Sequence, residues 1–225
     1  MIMAGDIDFP KFQIKGAQIV YKLFQKAASQ MVAGNCGTNL EKWCINDLQT
    51  SYGNPFLKGY KGFSGNICVN VNNIAAHGIP NNYEFRPGDV VTLDVVIDLM
   101  GWKTDLAWTY PIQPSNDSCL SLIKAAWQAS LLPLCTQDNH PPGKICATML
   151  DQLMAKSNFT LCRNFAGHQI NKKLHDEPIH YSPEICVFPL SQYNSAKVFC
   201  WEPIISAGNG KVSEDSNCQW YTQDG

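Results

Sequence analysis

Apolar residues recur at helical spacing from Ile14 to Met31, where Val20, Phe24, Ala27 and Met31 share a face and Lys15, Lys22 and Lys26 fall between them. Gly34 and Asn35 then predict a stop. A second helix is predicted from Thr38 to about Tyr52, with Thr38 and Glu41 in a capping-box arrangement and Trp43, Cys44 and Leu48 along it. After Gly53-Asn-Pro the period shortens. Asn66-Ile-Cys-Val-Asn-Val reads as a strand, and Pro87-Gly-Asp turns into the β-branched run Val90-Val-Thr-Leu-Asp-Val-Val-Ile-Asp-Leu. Gly101 marks a reversal, with Asp105 to Tyr110 as the returning arm of a hairpin. Helical spacing returns at Leu120, Ile123, Trp127 and Leu131, with Ser115 and Asn116 as candidate caps. A further helix is predicted near Pro142-Gly, carrying Cys146, Met149, Leu150 and Leu153. Beyond Asn158 the chain is strand-like and rich in turns. The order helix, helix, strands therefore occurs twice, which predicts two similar halves, about 11–110 and 111–225, within one domain spanning 1–225. Chemistry is expected at their seam.

Composition narrows the function classes. The 225 residues carry 17 Lys+Arg against 19 Asp+Glu, a formal charge of −2. That balance lacks the basic footprint of a nucleic-acid binder. An apolar share of 45% supports a packed core rather than disorder. No run approaches the roughly 20 apolar residues that span a bilayer. The first residues lack the basic and apolar regions of a secretory signal, so a cytoplasmic, membrane-free protein is expected. The ten cysteines contain no Cys-x-x-Cys pair and read as reduced, mostly buried small hydrophobes. Asn116-Asp-Ser and Asn158-Phe-Thr fit the glycosylation pattern, but chance matches are expected in a cytoplasmic chain.

Candidate chemistry begins with Asp94, set between Leu93 and Val95 in an apolar strand. A buried carboxylate without a partner costs several kcal/mol, so it calls for a proton, a donor or a metal. The hairpin can return Asp105 alongside it, and two such acids repel unless a cation lies between them. An outward-facing or merely structural carboxylate is the competing reading. The second group is Gly167-His168, His175-Asp-Glu-Pro and Glu202-Pro203, which pairs imidazole with carboxylate as divalent first-row metals require.

Three longer stretches carry a family resemblance. Gly59-Tyr-Lys-Gly-Phe-Ser-Gly-Asn-Ile-Cys-Val-Asn-Val-Asn-Asn-Ile-Ala-Ala-His-Gly-Ile-Pro, Pro87-Gly-Asp-Val-Val-Thr-Leu-Asp-Val and Asp105-Leu-Ala-Trp-Thr resemble the signature of the methionine aminopeptidases. Gly167-His-Gln-Ile, His175-Asp-Glu-Pro and Val198-Phe-Cys-Trp-Glu-Pro match in order, so that the resemblance covers roughly residues 11–208. The compact spacing resembles the type I branch. This resemblance implies an α/β pita-bread fold: two pseudo-symmetric helix–helix–strand halves around a curved antiparallel sheet. It implies two divalent ions (Co, Mn, Fe or Zn) and removal of the initiator methionine from nascent polypeptides by a monomer, near the ribosome. By motif match, Asp94, Asp105, His168 and Glu202 would be metal ligands, and His77, His175 and Glu202 catalytic. Tyr60, Phe63, Cys68, Leu174, His77 and His175 would bind substrate.

The match also breaks. The family's Gly-His-Gly-Ile-Gly has Gln169 and Asn171 in place of its last two glycines. If those glycines serve a left-handed backbone, strain follows. The family's fifth ligand is a glutamate in a motif resembled by Ser216-Asn-Cys-Gln-Trp-Tyr-Thr, where Tyr221 takes its place. A phenol is a poor substitute for a carboxylate. Glu214 or Asp215 would have to stand in after a register shift. The consequence expected is an impaired site with one ion, or a catalytically inactive pita-bread module that binds peptides or proteins. A peptidase for Xaa-Pro bonds is a third reading, disfavoured by the match from Tyr60 to Pro80.

Overall fold

A computed structural model describes residues 9–135, 142–165, 167–181 and 198–224. The elements run α1 (Phe9–Ala27), α2 (Gly37–Thr50), β1 (Asn54–Pro55), β2 (Cys68–Val71), β3 (Ile74–Ala76), β4 (Val90–Leu99) and β5 (Trp102–Pro111). They continue with α3 (Asp117–Ser130), α4 (Pro142–Lys156), β6 (Thr160–Leu161), β7 (Gly167–Gln169) and β8 (Asp176–Tyr181). The last are β9 (Phe199–Trp201), β10 (Ile205–Ser206), β11 (Val212–Glu214) and β12 (Trp220–Thr222). Two helices precede strands in each half, as the sequence pattern predicts. The strand pairings are antiparallel throughout.

The hairpin of β4 and β5 organises the first half. Met100 and Gly101 both take positive φ, 56° and 85°, which suits a two-residue turn matched to strand twist. Successive side chains alternate sides, so β4 serves two masters. Its odd positions Val91, Leu93, Val95 and Ile97 are buried against Val20, Leu23 and Phe24 of α1 and Leu40, Cys44 and Leu48 of α2. Full burial of one such side chain contributes about 1.5–3 kcal/mol. Its even positions, among them Asp94 and Val96, face the other way. Cys68 of β2 lies directly opposite Asp94, and Asp105 of β5 directly opposite Val96. Asp94 and Asp105 are therefore diagonal neighbours on one face.

The second half supplies a sheet ordered β8-β7-β9. Gly167 makes its close pairing feasible, because a Cβ there would overlap the Cys200 carbonyl oxygen. At the chain end, β12 lies between β11 and β3 and so joins the last strands to the first half.

Three local expectations are corrected. Thr38 and Glu41 do not form a capping box: α2 has Cys36 at its N-cap with no side-chain cap bond. Glu41 Oε1 instead accepts from the backbone N–H and side-chain amide of Asn66, at 2.6 and 3.0 Å. The loop before β2 consumes the carboxylate that would have capped the helix. The helices also end earlier than predicted, at Ala27 and Thr50, with a 3₁₀ turn from Ala28 to Gln30 following α1.

The third correction concerns α3. Its predicted apolar face is only partly covered: Leu120 and Trp127 are 43% and 49% accessible and Ile123 and Leu131 half-buried, while Ala125 and Ala129 are buried. Small side chains let the helix lie close to its neighbours: Ala129 joins Leu132, Leu150 and Leu161 in one cluster. Asn116 is its cap, accepting from the Cys119 N–H at 2.8 Å.

This division of faces is testable by urea unfolding. Leu93→Ala is expected to cost about 2–5 kcal/mol, the range for a fully buried leucine. Leu120→Ala is expected to stay within about 0.5 kcal/mol, as for other surface changes.

Candidate metal centre

Asp105, His168, Cys200 and Glu202 each offer a ligand atom, and all four atoms lie within 4.8 Å of one another. Backbone register explains the gathering. His168 on β7 faces Cys200 on β9 as a direct antiparallel partner, and Glu202, two residues further, follows on the same side. Asp105 reaches the group from β5. His168 Nε2 lies 3.1 Å from Glu202 Oε1 and 3.5 Å from Asp105 Oδ2. Its Nδ1 lies 3.2 Å from the Gln169 carbonyl. Donation of an Nδ1 proton to that carbonyl leaves Nε2 as the atom that meets a cation, the usual arrangement of a ligating histidine.

The charges in this group are poorly compensated by protein alone. Burial, and then the facing charges of Asp105 and Glu202, push the Asp94 carboxyl well above the usual carboxylate range. Burial and Asp105 likewise push Glu202 up, against the opposing pull of His168 and His77. For His168, burial opposes the charged ring, but hydrogen bonds involving Asp105, Cys200 and Glu202 prevail and raise its basicity. Asp94 Oδ1 is buried without a hydrogen-bond partner, though Asp94 is not itself in the four-donor group; Glu202 Oε1 is buried beside His168 Nε2, although the Glu202 side chain as a whole is 42% accessible. Carboxylate oxygens beside an imidazole, as at Glu202 and Asp105, are donors suited to a divalent ion.

An apolar wall borders the cluster. Leu57, Cys68, Val96, Ile170, Leu174 and Cys200 are buried together, with Phe56, Tyr60 and Phe63 packed against them. The Tyr60 hydroxyl lies 2.9 Å from His175 Nδ1, and the two rings stack at 5.8 Å. The His175 ring in turn lies 4.3 Å from that of His168. His77 has a left-handed backbone with φ 56°, and its Nδ1 sits 3.2 Å from the Cys218 carbonyl. The loop after it is tied down by Asn70 Oδ1, which accepts from Gly78 N–H, and by Gln219 Oε1, which accepts from Ile79 N–H.

The departures from the expected motif resolve differently. Gln169 and Asn171 are absent from the positive-φ residues, so no left-handed strain arises at either position. Asn171 is absorbed by the loop: its side-chain amide donates to Asp176, and its carbonyl accepts from Lys103 N–H at 2.7 Å. Burial, followed by Asp215, pushes the Tyr221 phenol up, so the ring is matched with Asp215. Asp215 accepts from the backbone N–H groups of Asn217 and Gln219 at 2.8 and 2.9 Å. It is occupied in stabilising that turn, and the four-donor group contains neither Asp215 nor Glu214. Cys200 is the member that residue-by-residue reading passed over. The signal was its place two residues before Glu202, on the same side of a strand.

The fold and the buried donor set together describe a metallopeptidase-like centre. Residues 14–217 match the model of metallopeptidase family M24, and the chain belongs to that family. A divalent metal cofactor follows from membership, and the donors present fit one. Among curated relatives, methionine aminopeptidase 1 of Bacillus subtilis is 30% identical over 162 residues, 70% of this chain and 63% of that protein. Among solved structures, methionine aminopeptidase from Rickettsia prowazekii superposes with a TM-score of 0.83 at 23% identity, covering 100% of this chain and 90% of that one. The prolidase of Thermococcus sibiricus superposes with a TM-score of 0.64 at 20% identity, covering 79% and 47%. The fold is thus the pita-bread fold of the methionine aminopeptidases.

Metal retention tests the cluster directly. His168→Ala is expected to weaken manganese, cobalt or zinc binding at least tenfold, roughly the loss seen even for groups that only orient a ligand. Equilibrium dialysis with elemental analysis measures it.

Proposed function

We propose that the chain is a metal-dependent methionyl aminopeptidase acting on the N-terminal methionine of nascent polypeptides. The observation that carries this reading is the gathering of Asp105, His168 and Glu202, at the edge of solvent, beside a packed apolar and aromatic group. Asp94 lies one diagonal step from Asp105 and completes the acidic side.

A divalent cation held by Asp105, His168 and Glu202, with Asp94 beside them, would supply Lewis acidity and an activated water. The chain's own groups then bind and orient the substrate. Tyr60, Phe63, Cys68 and Leu174, which pack in one apolar group, are assigned the contact with the unbranched, polarizable thioether. Tyr60 fixes the Nδ1 edge of His175, and the reading assigns the opposite edge to the scissile amide. His77, held by the Cys218 carbonyl, supports a second imidazole close enough to influence Glu202. Hydrogen bonds from such fixed rings act where charge grows in the transition state. Glu202 is assigned the proton transfer, because it meets the His168 ring at 3.1 Å, feels the charge of His77 and is 42% accessible to solvent.

A cytoplasmic monomer working near the ribosome belongs to the same proposal. Seven described cysteines are unpaired, which suits a reducing compartment. Among the described residues no helix is long and apolar enough to cross a membrane. The number of ions is proposed as one rather than two, since position 221 offers a phenol in place of a carboxylate and Asp215 is engaged in its own turn. The same observation favours a second reading: a pita-bread protein that binds peptides without cleaving them.

Cleavage of Met-Ala-Ser by metal-loaded protein is expected, with loss of the activity on chelation. A metal-loaded protein that binds this peptide and leaves it intact would support the binding module. Tyr221→Glu is expected to raise the bound metal from about one ion to two and to increase turnover. Unchanged stoichiometry would show that position 221 does not face the centre. Tyr60→Phe, which removes the hydroxyl from His175, is expected to lower kcat more than it changes KM.

A further inference from the structure

The four-donor group contains a thiol that the metallopeptidase reading does not use. Cys200 lies directly opposite His168 in the β7–β9 ladder, which places their side chains on one face at the roughly 4.5–5.5 Å Cβ spacing of antiparallel partners. Its residue is 9% accessible, and its sulfur packs 3.9 Å from the Asp105 backbone carbonyl. The thiol therefore lies where the carboxylates and the imidazole meet the apolar wall, and belongs to both. The buried Glu202 Oε1 has His168 Nε2 as its neighbour, 3.1 Å away, and a cation placed between them would take both as donors.

We propose that Cys200 is a direct ligand, giving an Asp105–His168–Cys200–Glu202 centre that prefers zinc or cobalt to manganese. The proposal rests on reading the cluster as a metal centre and extends it to the identity of the ion. Softness supplies the selectivity. Thiolate suits zinc and related thiophilic ions, whereas an all-oxygen set suits manganese. Zinc is satisfied by four donors of nitrogen, oxygen and sulfur at about 2.0–2.3 Å. Closing donors now spread over 4.8 Å onto one such ion requires the outermost pair to draw in by about an ångström, a side-chain adjustment. A fourth donor here also replaces the charge that a carboxylate at position 221 would have brought.

The test uses the full chain loaded with one equivalent of zinc and examined by X-ray absorption at the zinc edge. One sulfur scatterer at about 2.3 Å is expected beside nitrogen and oxygen at about 2.0–2.2 Å. Cys200→Ser is expected to remove that scatterer and weaken zinc binding at least about tenfold, with a clearly smaller loss for manganese. Retained manganese binding shows that the variant is folded, and Cys200→Ala repeats the measurement without a new hydroxyl. Cys218→Ser, at an exposed position, is expected to keep the sulfur signal. A bound zinc with only nitrogen and oxygen neighbours would overturn the role of Cys200 and leave the metal centre standing. A protein that retains no zinc and no manganese would overturn both.

Discussion

Carboxylates buried close together are the constraint around which this molecule is arranged. Burial raises the cost of ionising Asp94 and Glu202; Asp105 and Glu202 add to that cost at Asp94, and Asp105 adds to it at Glu202. Such a cluster persists in a fold only when something positive lies among the acids. His168 supplies one positive partner, and a divalent ion supplies the rest. The β4–β5 hairpin, the β7–β9 pairing and the close approach at Gly167 all bring donors to that one place. The helical layer stabilises the opposite face of the same hairpin. Stability and chemistry therefore divide along a single strand, residue by residue.

That division was readable before any coordinates. The alternation in Val90–Leu99 marks one apolar face and places Asp94 on the other, and Gly101 locates the turn that brings Asp105 within a diagonal step. Sequence order also paired the two halves by element type. The errors arose where a local rule met a tertiary competitor. Glu41 has the spacing of a capping residue, yet the Asn66 loop captures its carboxylate. On α3 the largest apolar residues suggested the buried face, but a close helix contact is made by alanines. Hydrophobic size and buried position separate whenever packing distance is short.

At the centre, the sequence named carboxylates and histidines because their chemistry is distinctive. Cysteine is ambiguous: it reads equally as a small hydrophobe and as a soft ligand. Only register distinguishes the two, and register came from the antiparallel partnership of His168 with Cys200. The fate of position 221 was also beyond reach of motif reading. A tyrosine can be aligned with a glutamate, but where its ring points depends on the Asp215 turn next to it.

The His77 loop carries a less obvious dependence. Its left-handed residue is secured from two sides: by Asn70 of β2, through Gly78, and by the Cys218 carbonyl and the Gln219 side chain, which belong to the approach to β12. A three-stranded edge built from short strands is the kind of unit that opens before a helix-backed core. Opening of the β11–β12–β3 edge would loosen this imidazole while the β4–β5 hairpin and its helices stayed folded. The molecule can thus lose one of its proposed working parts through a local opening far cheaper than global unfolding, with β12 acting as the latch.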